Sequence, residues 1–148
     1  MLQEGANGET PEAKKALFRR LIDLYALADV DALEALLAAD YVGHTAAGPR
    51  DWAEFRQSIL NFHQLFDYAP DAFVVEDQLV DGDKVATRMI AHVRSRETGE
   101  PMAMMGINLA VIRGGKVQEE WNTWEMMPAA GQGDDGGSLS VRGASKSA

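Results

Sequence analysis

Residues 102–126 read MAMMGINLAVIRGGKVQEEWNTWEM, and this stretch decides the fold. Two runs rich in apolar residues flank a Gly-Gly pair, which allows the positive φ values of a two-residue turn, so the stretch is predicted to be a β-hairpin. The first arm is apolar almost throughout, which is typical of a central strand covered on both faces. Asn108 interrupts it, and the second arm alternates and carries Trp121 and Trp124. A buried amide facing a tryptophan-rich strand is therefore the first candidate for a functional site.

The chain before this hairpin is predicted to add two more strands. Residues 72–80 are rich in β-branched and apolar types, and residues 81–83, reading DGD, are typical of a turn. Residues 84–96 alternate between apolar and polar side chains, and residues 97–100 are typical of another tight turn. The second half of the chain is thus predicted to be a four-stranded antiparallel meander.

The first half of the chain is predicted to be mainly helical. A Thr-Pro start and apolar residues at helical spacing predict a first helix over residues 11–28. A short second helix is predicted over residues 31–38, capped by its first residue, and a third begins at the cap Asp51 and ends at Pro70. Residues 40–45, between the last two helices, are predicted to be extended. Helices followed by strands indicate an α+β fold.

The chain has 148 residues, a length that suits one domain with a core of its own. This domain is predicted over residues 10–127, after a flexible N-terminus at residues 1–9. Residues 128–148 are rich in glycine and serine and have almost no large apolar side chains, so they are predicted to form a flexible tail.

Charge and composition exclude several classes of function. The net charge is −9 and the pI is about 4.7, which disfavours binding to the phosphate backbone of a nucleic acid. The chain has no cysteine, which excludes disulfides and thiolate chemistry and fits a cytoplasmic location. No apolar run approaches the ~20 residues of a membrane span, and the N-terminus lacks a signal-peptide pattern, so no membrane partner is expected.

Four motifs occur in an order that resembles a known family. The chain reads DYVGH at residues 40–44, VATR at 85–88, GINL at 106–109 and GKVQEEW at 115–121. These stretches resemble the SnoaL-like polyketide cyclases of the nuclear-transport-factor-2-like superfamily. Ketosteroid isomerase, scytalone dehydratase and limonene epoxide hydrolase belong to the same superfamily. The resemblance covers about residues 11–127.

The resemblance implies a cone-shaped α+β fold of the cystatin-like type. A curved antiparallel or mixed sheet would wrap around the three N-terminal helices and leave a deep apolar pocket with a few polar groups at its floor. Such a pocket suits an apolar small-molecule ligand, and no cofactor is implied. Sheets of this superfamily commonly pair back to back, so a homodimer through the sheet is expected.

Three candidate catalytic residues follow from the same resemblance. His44 matches the family's histidine and, with an unperturbed pKa of about 6.5, is the candidate for proton transfer; the alternative is a histidine bonded to backbone near a turn. Asn108 stands where the family usually has aspartate. It cannot exchange a proton near neutral pH but can orient a carbonyl or a water, or simply satisfy buried backbone groups. Glu120 stands where the family often has histidine.

The role of Glu120 depends on which face of its strand lines the pocket. If its own face does, the carboxylate lies in an apolar cavity, where its pKa would rise and suit a general base. If the other face does, Trp121 is inside and Glu120 is solvated. Arg88 is a fourth candidate, which would orient or polarise the substrate; the alternative is an ion pair on the sheet, with Glu120 as its partner.

Large apolar side chains are expected to line the pocket or to fill the core. The candidates for ligand binding are Tyr25, Trp52, Phe55, Phe62, Met104, Trp121 and Trp124. The three histidines lie on separate predicted elements with no acid at ligand spacing, so we expect no metal.

Three functions remain open from the sequence. The first is a small cofactor-free enzyme with acid–base chemistry on a bulky apolar carbonyl or epoxide, in which His44 moves the proton and Glu120 is a second acid or base. Asn108 and Arg88 would orient or polarise the substrate. The second is a non-catalytic protein that binds an apolar ligand, which the amide at position 108 favours. The third is a dimeric interaction domain with a filled core.

Overall fold

The computed structural model describes residues 10–128, in which three α-helices precede most of a six-stranded sheet. The predicted flexible N-terminus and all of the predicted tail except Pro128 lie outside the described residues. The helices are α1 (Pro11–Leu27), α2 (Val30–Glu34) and α3 (Trp52–Leu65), and the strands are β1 (Leu37–Thr45), β2 (Gly48–Arg50), β3 (Phe66–Asp81), β4 (Lys84–Ser95), β5 (Pro101–Arg113) and β6 (Lys116–Met126).

The first helix matches its predicted bounds to within one residue. Thr10 caps it, since its side chain accepts a hydrogen bond from the backbone N–H of Ala13 at 3.1 Å, and Pro11 begins the first turn. The helix ends at Leu27, and Ala28 caps it with a left-handed φ of 56°. Phe18 and Leu21 are among the side chains that it buries against the sheet.

The second helix is shorter than predicted, and its cap is Asp29 rather than the first residue of the predicted range. The Asp29 carboxylate accepts from the backbone N–H of Ala32 at 3.2 Å. The helix stops early because strand pairing competes for the backbone that follows. The N–H of Val117 donates to the carbonyl of Leu36 at 2.8 Å, and β1 begins at the next residue.

The third helix begins as predicted and ends sooner. A capping box at its start joins Asp51 and Glu54 reciprocally. The helix ends at Leu65, and Pro70 lies inside β3 rather than at the helix end, so that part of the prediction was wrong. The strand tolerates the proline because β3 is an edge strand and its pairing with β4 is irregular between Tyr68 and Phe73.

The sheet is curved and unclosed, with the strand order β2-β1-β6-β5-β4-β3. The four long strands form the predicted antiparallel meander, and the hairpin between β5 and β6 turns at Gly114 and Gly115, which have φ values of 63° and 73°. β1 then pairs with β6 in parallel. This one parallel contact sets the segment that carries Tyr41 and His44 beside the second arm of the hairpin.

The two faces of the sheet differ in their cover. The inner face packs on the helices, and the core there includes Phe18, Ile59 and Met89. The prediction that β5 is covered on both faces was wrong, because its apolar side chains on the outer face are open to solvent. Ile107, for example, is 43% exposed. Within residues 10–128, no helix combines the length and apolarity needed to cross a bilayer.

We expect the inner face to supply most of the stability. Ile59 on α3 is fully buried in the core, so Ile59→Ala should lower the free energy of unfolding by about 2–5 kcal/mol. Leu65, on the same helix, is 58% exposed, and Leu65→Ala should change the free energy of unfolding by less than about 0.5 kcal/mol. Urea unfolding of both variants measures the difference. Equal losses of unfolding free energy in the two variants would contradict this placement of the core.

Candidate functional site

A glycine on β1 makes room for a polar cluster on the inner face. Strand pairing sets Gly43 opposite Glu120 of β6 on one side and opposite Arg50 of β2 on the other. A Cβ atom at position 43 would lie 2.5 Å from the hydroxyl oxygen of Tyr41 and 3.3 Å from Nε of Arg50. The missing side chain therefore lets Tyr41 reach Glu120, and lets Arg50 approach Tyr41, over the backbone of β1.

Glu120 is the centre of this cluster and is 2% exposed. Its Oε2 accepts a hydrogen bond from the hydroxyl of Tyr41, and its Oε1 accepts one from Nδ2 of Asn108 at 2.8 Å. Both donors are themselves buried. A carboxylate taken out of water is costly unless hydrogen bonds compensate it, and here each oxygen has a donor. The structure thus brings together two predicted residues, Asn108 and Glu120.

Tyr41 acts as a donor and not as a base. Burial raises the pKa of its hydroxyl well above the usual value, and the neighbouring carboxylate of Glu120 raises it further. The guanidinium of Arg50 opposes this shift without cancelling it. The phenol therefore keeps its proton near neutral pH and holds the carboxylate in place.

Asn108 has one unsatisfied group. Its amide nitrogen is used by Glu120, but its Oδ1 is buried and has no hydrogen-bond partner. Thr87 faces Asn108 across the β4–β5 pairing, and its hydroxyl oxygen already accepts from Nε2 of Gln78 at 3.1 Å. A buried amide oxygen without a protein donor is rare in folded proteins.

A cavity of about 390 Å³ lies on the inner face, and Tyr41, Asn108 and Glu120 are not among its lining residues. Arg50 connects the cavity to the polar cluster, since it acts on Tyr41 and also lines the cavity. The wall is mostly apolar and aromatic, with a few hydroxyls, one amide and one guanidinium. Its lining residues are Tyr25, Thr45, Ala46, Ala47, Arg50, Phe62, Tyr68, Phe73, Ala91, Met104, Asn122, Thr123 and Trp124. Gly106 lets the ring of Trp124 lie close over β5, because a Cβ there would be 2.5 Å from that ring.

A pair of tyrosines forms one side of the cavity. The rings of Tyr25 and Tyr68 lie 5.7 Å apart, and burial raises the pKa of both hydroxyls. Tyr68 adds to the shift of Tyr25 through its charge and a hydrogen bond. His63 supports the pair, since its Nε2 lies 2.8 Å from the carbonyl of Tyr25 and its ring stacks on Tyr68 at 4.3 Å. Both phenols remain neutral donors at neutral pH.

The candidate ligand-binding residues divide into two groups. Tyr25, Phe62, Met104 and Trp124 line the cavity. The other three do not: Phe55 is buried in the core, Trp52 packs against that core, and Trp121 lies on the outer face.

His44 does not join Asn108 and Glu120. Adjacent residues of a strand point to opposite faces, so the residue after Gly43 faces outward. Its ring stacks on Trp121 at 4.8 Å, and its Nε2 lies 2.7 Å from Oε2 of Glu119. This pair borders a shallower depression of about 310 Å³ on the outer face. The expectation that one site holds all three residues is therefore corrected.

Arg88 also lies on the outer face, where its partner is not Glu120. It pairs with Ile107 across the β4–β5 register and forms an ion pair with Glu76, with Nη1 and Oε1 separated by 2.6 Å. The predicted partner is on the opposite side of the sheet. Among residues 10–128, no group of three or more His, Asp or Glu side chains is arranged to hold a metal ion.

Tyr41 and Arg50 were not predicted as site residues from the sequence. One signal was available, since a glycine inside a predicted extended segment often marks a close approach by another group. Gly43 has that position. Arg50 was assigned to a turn, and only the pairing of β2 with β1 turns its side chain toward the cavity.

The SnoaL-like domain model matches residues 18–120 of this sequence. No curated protein matches it at a significant level. Among solved structures, IdmH of Streptomyces antibioticus, a proposed polyketide cyclase, is 27% identical, with a TM-score of 0.67, 76% of this chain covered and 91% of that chain. AclR of Streptomyces galilaeus, a proposed hydroxylase, is 18% identical, with a TM-score of 0.68 and coverages of 77% and 90%. PrhC of Penicillium brasilianum is 18% identical, with a TM-score of 0.67 and coverages of 91% and 93%.

The raised pKa values of Tyr25, Tyr41 and Tyr68 predict a loss of stability in alkali. Below a pH of about 10, the unfolded pKa of tyrosine, both states keep these protons and the stability is fully present. Above it, the unfolded chain releases protons that the folded chain retains. The free energy of unfolding therefore falls by up to about 1.4 kcal/mol per pH unit for each tyrosine.

Tyr41→Phe removes one of these groups, so its stability should fall less steeply above a pH of about 10 than that of the wild type. Urea unfolding across the alkaline range measures the slope. An identical slope in the variant and the wild type would show that Tyr41 does not retain its proton through burial.

Proposed function

This chain belongs to the SnoaL-like domain family, and from that membership we propose that it is a small cofactor-free enzyme. Its reaction would be acid–base chemistry on a bulky apolar molecule that bears a carbonyl or an epoxide. The observation that carries the proposal is an apolar cavity on the inner face that Arg50 connects, through Tyr41, to a buried, doubly hydrogen-bonded carboxylate, Glu120.

The cavity supports an apolar small molecule as the ligand. Its volume of about 390 Å³ lies within the usual range for ligand pockets, and such pockets are mostly apolar with a few placed polar groups. Phe62, Phe73 and Trp124 offer ring faces, while Asn122 and the tyrosine pair offer hydrogen bonds. This composition fits a fused-ring compound with a small number of oxygens.

Glu120 is the residue that we propose for proton transfer. The amide of Asn108 cannot exchange a proton near neutral pH, but it donates to Glu120 from the neighbouring strand. The family usually has a carboxylate at the position of Asn108, so in this chain the carboxylate would have moved one strand across, from β5 to β6. It would take a proton from the carbon beside a carbonyl and return it to another atom of the same molecule, which consumes no co-reactant.

A second candidate function is ligand binding without turnover. One observation favours it: Glu120 is almost fully enclosed, and both of its oxygens already accept hydrogen bonds from Tyr41 and Asn108. A carboxylate used in this way also serves simply to fix the packing of β1 on β6.

Glu120→Gln tests the enzyme directly, because glutamine keeps the shape of the side chain and removes the base. Against a panel of polyketide-like, enone and epoxide substrates, we expect the variant to lose about 100-fold or more of the wild-type rate, as loss of a general base usually costs. The controls are His44→Ala and Arg88→Gln on the outer face, which should keep the wild-type rate within about twofold, as residues outside the reacting site do.

Binding of panel members without any turnover by the wild type would favour the second candidate. If His44→Ala lost as much of the wild-type rate as Glu120→Gln, the assignment of the proton transfer to the inner face would be contradicted.

We also propose that the protein forms a homodimer through the outer face of the sheet. What supports this is the set of apolar side chains left open to solvent there, which include Val74, Leu79, Met105, Ile107 and Trp121. Apolar patches of this kind on a sheet commonly mark an interface.

Ile107→Glu places a charge at the middle of that face and should yield a monomer. The matched control is Leu27→Glu, at an exposed apolar position on α1, which should leave the oligomeric state unchanged. Sedimentation velocity measures both. A wild-type protein that sediments as a monomer would contradict the proposal.

A further inference from the structure

One charged side chain, that of Arg50, lines the inner cavity of the described chain, and it has no acidic partner there. The contrast with other arginines is clear. Arg56, Arg88, Arg96 and Arg113 each lie within ion-pair distance of an Asp or Glu carboxylate. A guanidinium that is partly buried without a carboxylate has given up hydration without a matching ionic contact.

The contacts of Arg50 leave most of its donors unused. Its guanidinium carbon lies 4.2 Å from the centre of the Phe55 ring, so its flat face is covered by a cation–π contact. Nη1 reaches Oγ of Ser58 at a long 3.4 Å, the guanidinium also interacts with the hydroxyl oxygen of Tyr41, and Nε is buried without a well-aligned hydrogen-bond partner. Stacking on a ring leaves the N–H groups at the edge of the guanidinium pointing away from that ring. Donors of this kind are suited to a bidentate contact with an oxygen anion.

Glu120 does not take the place of that anion. The hydroxyl of Tyr41 donates to one of its oxygens and the amide of Asn108 to the other. Arg50 acts on Tyr41 through its charge and a hydrogen bond that the phenol oxygen accepts, so a neutral hydroxyl stands between the guanidinium and the carboxylate. The carboxylate is held on its own donors, and the guanidinium faces the cavity wall.

The remaining polar groups of the cavity are neutral. They are the hydroxyls of Tyr25, Thr45, Tyr68 and Thr123 and the amide of Asn122, and no Asp, Glu or Lys is among the lining residues. The cavity is thus apolar with a single positive charge, in a chain whose net charge is −9. A site with this charge and these donors discriminates in favour of a ligand with one negative charge.

We propose that Arg50 binds an anionic oxygen of the ligand, so that the ligand is an apolar, ring-containing acid. The anion is either a carboxylate or an ionised enol, both of which present oxygen to a guanidinium. This inference rests on the proposed function in one respect, since it takes the inner cavity as the substrate site. It narrows the substrate class from neutral carbonyl compounds to acids.

Isothermal titration calorimetry at neutral pH with two matched pairs of probes tests the proposal. The first pair is 2-naphthoate and its methyl ester, and the second is ionised 2-hydroxy-1,4-naphthoquinone and its neutral methyl ether. Each pair keeps the ring system and changes the charge. In the wild type, at least one anion should bind about 10–100-fold more tightly than its neutral partner, the ratio expected for hydrogen bonds to a charged group.

Arg50→Gln should remove this preference. It should weaken the binding of the anion and leave the affinity for the neutral partner within about twofold of the wild type, because the apolar wall is unchanged. Arg50→Lys keeps the positive charge but lacks the paired N–H donors of the guanidinium, so it should retain part of the preference for the anion. Arg88→Gln, which removes an arginine from the outer face, is the matched control and should bind all four probes as the wild type does. The ratio of anion to neutral affinity is measured in the wild type without any variant, so a failure of Arg50→Gln to fold would still leave the proposal testable.

The outcomes separate the two proposals. A preference in the first pair alone identifies a carboxylate, and a preference in the second alone identifies an ionised enol. Equal affinities within both pairs would overturn the role of Arg50 and leave the proposed enzyme standing. No binding by any of the four probes would overturn both. Tight binding of an anion together with an inactive wild type would support Arg50 and count against the enzyme.

Discussion

The parallel pairing of β1 with β6 is the contact on which the site depends. Without it, the meander of β3 to β6 would be complete, but Tyr41 and Gly43 would have no fixed place relative to Glu120. Parallel strands need a long connection, and here the whole meander separates the two partners along the chain. The pairing sets Gly43 opposite Glu120, and the missing side chain at position 43 lets the phenol of Tyr41 reach the carboxylate. One pair of strands thus brings β1 and β2 into the sheet and builds the polar cluster.

The alternation of the pleat then separates two environments. On the inner face, Glu120 is fixed by two donors, and Arg50 connects the cluster to an apolar cavity. Desolvating a carboxylate costs several kcal/mol, which the charge-assisted hydrogen bonds of Tyr41 and Asn108 offset in part. On the outer face, His44 stacks on Trp121 beside Glu119, in contact with solvent. Neighbouring residues of the same two strands therefore have different roles, and this follows from the period of a strand.

Much of the fold was predictable, because periodicity and turn residues are local signals. The helix caps at Thr10 and Asp51 and the glycine turn of the hairpin were found where the sequence indicated them. The errors arose where a distant strand competed for the backbone. Strand pairing at Leu37 shortened α2, and an irregular edge strand absorbed Pro70. The sequence could not reveal these, since the competing partners lie many residues away.

The site was predicted less well than the fold, for a related reason. Asn108 and Glu120 were selected because motif positions marked them, and a hydrogen bond joins their side chains in the structure. The face of β6 that lines the cavity remained open until the register was known. His44 was expected beside the pocket, whereas its position on β1, opposite Trp121, puts it on the outer face. Arg50 was missed because a turn residue gives no local sign of the direction in which its side chain points.

The central claim is that function resides in the inner cavity beside Glu120 and not in the depression around His44. A crystal structure of the protein with 2-naphthoate bound tests it most directly. We expect the ring system to lie against Trp124 and the carboxylate to lie within hydrogen-bond distance of Arg50. A naphthoate seated between His44 and Ile107 on the outer face, with the inner cavity empty, would contradict it.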